Sequence, residues 1–145
     1  MEKRIVEPKA VSTARLVKSE DLNHHGTLFA GRTSEWFVES GFISAASLVP
    51  ADTIVCLKVH GLYFTRPVYP GEIVTFQAKI VYAGRTSLVA HIEVYKHGEM
   101  KPVMNGFITF VPVDSNTKPC AHNIEIHPIT DEDKELYEQA SNLKR

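Results

Sequence analysis

Two cysteines among 145 residues are too few, and too unlike in setting, to build a disulfide framework or a zinc site. Cys56 falls in an apolar, strand-like run, where a small buried hydrophobe is its expected role. A reducing cytoplasm is the compartment that fits this usage. Charge of one sign is lacking as well. The chain carries 16 basic and 17 acidic side chains, a net charge of -1 with histidine neutral, and no basic run or stripe. That balance argues against general nucleic-acid affinity. No apolar run is long enough to span a bilayer. Residues 1–9 are charged and have no apolar centre, so they read as neither signal peptide nor membrane anchor. Internal repeats and low-complexity tracts are absent. What is left is an ordinary soluble composition and one expected domain over residues 1–145, long enough to bury a core without staples.

The stretch that stands out covers residues 23–49, a polar turn followed by an unusually apolar helix. Phe29, Trp36, Phe37, Val38, Phe42, Ile43, Ala45, Ala46, Leu48 and Val49 leave hardly any polar side. A surface helix shows one apolar stripe and a charged back. This one reads as buried nearly all round. Glu35 and Glu39 interrupt it one turn apart, hence on one face. A carboxylate on a buried helix is costly unless it is paired, hydrated through a cleft, or used in chemistry.

Around that helix the chain alternates like β-structure. Residues 6–17 carry β-branched Val11, Thr13 and Val17 and read as a strand. Residues 18–25 are turn-like. The helix runs from about Ala30 or Gly31 to Leu48, and Pro50 stops it. Four strand-like runs follow, at 53–66, 72–83, 86–96 and 102–113, the second with an irregularity in its middle. In the third, Leu88, Ala90, Ile92 and Val94 face one way and Ser87, Val89, His91, Glu93 and Tyr95 the other. Short turns at Gly84-Arg85 and His97-Gly98 make the four runs an antiparallel meander. Residues 114–128 read as loop. Thr130 then caps a short helix over 131–143, with Leu136, Tyr137 and Ala140 to dock it and Lys144 and Arg145 at its C-terminal end.

The fold class is therefore α+β: a five-stranded antiparallel sheet curled around one long apolar helix, with a short C-terminal helix. A sheet of this kind leaves an open edge. Residues 53–64 are apolar enough to pair with their own copy, so a homodimer is the expected minimum, with a tetramer or hexamer compatible beyond it.

Two stretches resemble a known family, the hotdog-fold acyl-CoA thioesterases, and within it the cytosolic acyl-CoA hydrolase branch. The first is N-H-H-G-T-L-F-A-G at 23–31, similar to the pattern N-x-x-G-x-x-F-G-G, followed eight residues after Gly31 by the acid Glu39. The second comprises F-T-R-P-V at 64–68 with Gly71-Glu72, and then G-R-T-S at 84–87. The likeness covers about residues 11–113 and leaves 114–145 as an extension. Ala30 stands where the branch often has Gly, and Glu39 where many members carry Asp.

The resemblance implies hydrolysis of an acyl-CoA thioester to free acid and coenzyme A, in the cytoplasm, with no metal or organic cofactor beyond the coenzyme A of the substrate. It assigns catalytic roles to Asn23, Gly31 and Glu39, with Asn23 and Glu39 meeting across the dimer interface. The residue types suit this chemistry. A helix N-terminus polarises a carbonyl through its unpaired N–H groups, and Gly31 admits close backbone approach. Glu39 serves as general base on water or as nucleophile. Asn23 holds the attacking water or the acyl carbonyl with its amide. Coenzyme A is expected at His24, Arg66, Arg85, Thr86 and Ser87, and the core near Glu39 (Trp36, Phe37, Phe42) doubles as an acyl tunnel wall.

Each assignment has a plainer counterpart. Glu39 also suits an ion pair with Arg32 or Lys58, Glu35 a hydrated helix face, and Asn23 a cap. Gly84-Arg85-Thr86-Ser87 also makes a hairpin turn, and Arg66-Pro67 a strand end. His24-His25 lacks an acid or cysteine at ligand spacing, against a metal site. Two other functions compete with hydrolysis: a hotdog hydratase or dehydratase drawing on His24 or His25, and a non-catalytic acyl-CoA sensor acting through a protein partner.

Overall fold

The computed structural model describes residues 2–144. Met1 and Arg145 lie outside them, so the reading of Arg145 at the end of the last helix, and of Met1 in the leader segment, falls beyond the described residues. The principal sheet contains β2 (Val11–Leu16), β3 (Ile54–Val59), β4 (Tyr63–Phe64), β5 (Ile73–Ala83), β6 (Leu88–Lys96) and β7 (Met104–Pro112). Helix α1 (Ala30–Ala46) lies across one face of it and α2 (Asp131–Ser141) packs on the other. Strand alternation sorts the two faces. Val74, Phe76, Ala78, Ala90, Ile92, Val94, Ile108 and Phe110 form the core under α1, with Trp36 and Phe37 from the helix. Val81 and Val89 point the other way, onto Leu136 and Ala140 of α2. This helix wrapped by a sheet is the hotdog arrangement implied by the resemblance. Among the described residues, no helix is long and apolar enough to cross a membrane.

Strand order is β2-β5-β6-β7-β3, with β4 also paired to β7. Only β5, β6 and β7 form a meander, so the expected meander of four runs is corrected. Between β4 and β5 the chain contains Pro67, Pro70 and Gly71, and no tight hairpin can form there. The run at 53–66 therefore crosses to the far side of β7 and becomes an edge. It is also broken in two, because Gly61 adopts φ +122, where strand geometry cannot continue. The expected irregularity in β5 is a register shift between Ile80 and Tyr82. It lets Val81 and Tyr82 both face the α2 core and returns Ala83 to the α1 core.

Residues 114–128 are not all loop. β8 (Ile124–Ile126) pairs in parallel with β1 (Arg4–Val6), a two-stranded ribbon that sends Ile124 and Ile126 into the main core. Three-residue strands so far apart in sequence carry no periodic signal of their own. The C-terminal helix forms as expected, with Thr130 Oγ1 accepting from the Asp133 N–H at 3.0 Å. Asp133 in turn takes a buried ion pair from Lys79 of β5 at 2.5 Å.

Two expectations about burial are overturned within the chain. Helix α1 is not buried all round: Gly31, Glu35, Glu39 and Ile43, at spacing 4, share an exposed face. Its buried side is instead partly polar, because Thr33, Ser40 and Ser44 turn their hydroxyls onto carbonyls of the same helix. Cys56 is exposed, since β3 is an edge strand lying clear of α2.

Candidate active site

Asn23 closes the turn ahead of α1. Its Oδ1 accepts the N–H groups of His25 at 2.8 Å and Thr27 at 3.2 Å, and its Nδ2 donates to Thr27 Oγ1 at 3.0 Å. Three local bonds thus fix the side chain, and one of its two amide hydrogens stays free for a ligand. The turn is tied to the segment before β5 by Leu28 N–H donating to the Val68 carbonyl at 2.8 Å. Phe29 holds the N-cap position and offers no side-chain acceptor, so the first-turn N–H groups of α1 keep no side-chain partner.

A cavity of about 380 Å³ opens at this end of the sheet, lined by Asn23, Thr27, Leu28, Ala30 and Thr33 on one side and by 64–68, Val74, Val94, Val103 and Met104 on the other. Its walls are mostly apolar, with Asn23 and Arg66 as the polar groups best able to fix a ligand. Arg66 is held at the rim by Glu99 at 2.7 Å and by donating to the Lys101 carbonyl at 3.2 Å. His24 lies outside the cavity lining, exposed, its ring 3.9 Å from that of His25. Gly31 is exposed, but a side chain there would come within 2.5 Å of the Phe29 ring, which lies over the helix start. The missing Cβ makes room for that ring.

Glu39 lies two turns along the same helix, about 12 Å on at 1.5 Å per residue, and does not line the cavity. It is half exposed. Its ion-pair partner is neither Arg32 nor Lys58 but Arg15, from β2. Arg32 is engaged by the buried Asp21 at 3.3 Å and by Glu35 at 3.8 Å, and Lys58 reaches the carbonyl of Lys144. The guanidinium of Arg15 also sits 5.4 Å from the centre of the Trp36 ring.

Arg85, Thr86 and Ser87 occupy the β5–β6 turn, at the opposite end of those strands from the cavity. The structure therefore does not bring them to Asn23 within one chain. Arg85 is exposed, while Thr86 and Ser87 are buried. The turn closes with the Gly84 N–H on the Ser87 carbonyl at 3.0 Å, and His122 Nε2 meets that carbonyl at 3.0 Å. Burial holds the His122 imidazole below its ordinary pKa, partly offset by the Ser87 and Gly84 carbonyls. A smaller hollow of about 240 Å³ lies here, between the turn and the end of α2.

The family model described as thioesterase superfamily matches residues 25–103, which include α1, the part of its leading loop after His24, and most of the cavity lining. The chain belongs to the thioesterase superfamily. It is 30% identical over 117 residues to the uncharacterized acyl-CoA thioester hydrolase YkhA of Bacillus subtilis, covering 78% of this chain and 67% of the relative. It is 29% identical over 120 residues to the acyl-CoA thioester hydrolase YciA of Escherichia coli, covering 76% of this chain and 88% of the relative. A solved apo-hexameric acyl-CoA thioesterase superposes with a TM-score of 0.82 at 27% identity, covering 91% of this chain and 86% of its own.

In this thioesterase-superfamily chain, then, the site residues named from sequence divide into three groups, with His24 apart from them, exposed outside the cavity lining. Asn23 and Arg66 share the cavity, Gly31 and Glu39 share the open face of α1, and 85–87 sit at the far turn. Sequence reasoning missed Thr27, which completes the Asn23 turn, and Arg15. A signal for Arg15 existed. In V-S-T-A-R-L the alternation places it on the inward face with Val11 and Thr13, an unusual position for a lone arginine.

Proposed function

We propose that the protein hydrolyses acyl-CoA thioesters to a free acid and coenzyme A, at sites built between two copies of the chain. The observation that carries this is the junction of an uncapped helix N-terminus with Asn23 in one largely apolar cavity. The acyl carbonyl is taken there by the free Asn23 amide hydrogen and the first-turn N–H groups of α1, which stabilise the negative charge growing on its oxygen. Glu39 of the second copy removes a proton from water. The water oxygen bonds to the carbonyl carbon, the carbon–sulfur bond breaks, and the thiolate leaves to take up that proton. Side chains and water suffice for this reaction, and the only coenzyme involved is the one the substrate carries.

A second copy is required because Glu39 points out of the chain that holds it, away from its own cavity. The exposed edge gives the means: Val55, Leu57, Val59, Tyr63 and Phe64 of β3 and β4 are all solvent-facing in the single chain. A dimer through this edge is the minimum active unit, and the hexameric relative supports further assembly. Arg66 at the cavity rim, the exposed His24 next in sequence to Asn23, and Arg85, Thr86 and Ser87 at the far turn are assigned to the coenzyme A handle. The last three act on a site whose cavity belongs to another copy. Cytoplasmic residence fits the two free cysteines.

The test is release of free thiol from a panel of short, long, branched and aromatic acyl-CoA substrates. Turnover well above background is expected for at least one of them. Silence across the panel, with coenzyme A still bound, would move the protein to the sensor reading.

A further inference from the structure

We infer that Arg15 is the positioning residue of the Glu39 carboxylate, committing one carboxylate oxygen to an ion pair so that the other faces the reacting water. The inference rests on the reading of Glu39 as the catalytic acid. Glutamate has one more rotatable bond than aspartate, and a half-exposed glutamate on a helix spreads over several rotamers. A general base loses rate with each conformer that points away from its proton. Here the spread is removed from outside the helix. Arg15 Nη2 donates to Glu39 Oε1, which leaves Oε2 free.

The arginine is itself held. Strand pairing sets its backbone opposite Val74, and its guanidinium lies against the face of Trp36, a buried ring one turn before Glu39 on α1. Trp36 and Glu39 stand three residues apart, so a flat cation seated on the ring reaches the carboxylate from a defined side. Folding of the single chain does not account for the arrangement. There the two side chains are 40% and 53% exposed, and a pair this open to water adds little. The contact is worth most where orientation of the acid sets the rate.

The experiment compares Arg15→Met, which keeps an apolar stem against Trp36, with Arg15→Lys, alone and combined with Glu39→Gln. Glu39→Gln is expected to lower kcat by on the order of a hundredfold. Arg15→Met should lower kcat by about tenfold with KM little changed. Arg15→Lys and added guanidinium ion at non-denaturing concentration should each return part of the loss. In the Glu39→Gln background, Arg15→Met should cost nothing further, since a shared function is lost once. Fluorescence of Trp36, the single tryptophan, and sedimentation report whether each variant keeps its fold and assembly. Parental kcat in Arg15→Met, a loss confined to KM, or an equal loss in both Glu39 backgrounds would overturn the inference. Parental kcat in Glu39→Gln would instead overturn the reading beneath it. Should Arg15→Met fail to assemble, Arg15→Lys decides: a kcat deficit that guanidinium repairs supports the role, and full activity removes it.

Discussion

At the level of single residues, the proposed mechanism gives Asn23 a second job beside the turn it closes ahead of α1. Asn23 Oδ1 is spent on the turn, and one Nδ2 hydrogen on Thr27. Asn23→Asp keeps the acceptor, and Thr27 Oγ1 can donate to it, so the turn survives while the amide hydrogen that the proposal assigns to substrate is lost. We expect kcat to fall by about a hundredfold with the melting temperature nearly unchanged, as for loss of one oxyanion donor. A variant with parental kcat would confine Asn23 to the turn. His91 makes a separate prediction, for stability. It lies buried on the outer face of β6 between Lys79 and Phe107, and its Nδ1 has no hydrogen-bond partner among the described residues. Burial holds its pKa below 6.5, with Glu93 pulling it up and Lys79 pushing it down. The native state therefore keeps the ring neutral where the unfolded chain takes a proton. The stability from this group is whole above the unfolded value of 6.5 and is lost as the pH falls towards the folded one. Melting temperatures of the parent should decline below about pH 6.5, and those of His91→Leu should decline less, which thermal unfolding across pH will show.

Among the elements, α2 shows how little sequence is needed to place a helix when cap and docking face agree. Thr130 caps it, Asp133 pairs with Lys79, and Leu136 and Ala140 close over Val81 and Val89. Tyr137 adds an edge contact to Tyr82, with ring centres 5.1 Å apart. Leu136→Ala should destabilise the protein by about 2 to 3 kcal/mol, as for a buried leucine with room to relax at the surface. Denaturant unfolding measures it. A change under about 0.5 kcal/mol would mean that α2 is not docked in solution. The β5–β6 turn sits under the end of this helix, so the same variant tests whether the Thr86–Ser87 region is held by α2 or by His122 alone.

For the whole molecule, the separation of Asn23 from Glu39 within one chain makes a sharp prediction. Asn23→Ala and Glu39→Gln dimers should each be nearly inactive. Unfolded together and refolded as a mixture, half of the dimers carry one chain of each kind, and one of their two sites has both residues intact. About a quarter of parental activity should return, by the two-fold symmetry of the assembly. No recovery in a mixture that sedimentation shows to be dimeric would place both residues in sites of single chains. Leu57→Lys at the centre of β3 should weaken the same dimer, since like charges would face each other across the edge.

Much of this protein follows from local sequence. The helix, which ends at Ala46 a few residues ahead of Pro50, the cap of α2 and the two faces of β6 are set by neighbours within a few residues, through proline geometry, capping bonds and strand alternation. The placement of Asn23 on the turn and of Gly31 and Glu39 on the helix was legible for the same reason, since a loop and the helix it starts are contiguous. Other features depend on contacts between distant segments, which no short window contains. Residues 53–64 became an edge rather than a hairpin partner because a proline-broken crossover carried them past β7. β1 and β8 pair across more than a hundred residues. Glu39 chose Arg15 over Arg32 because Asp21, brought under the helix start by the preceding turn, had already engaged Arg32. Even the openness of the Glu39 face is a tertiary outcome. The sheet packs against one side of α1, so Glu35, Glu39 and Ile43 on the other side stay exposed in the single chain.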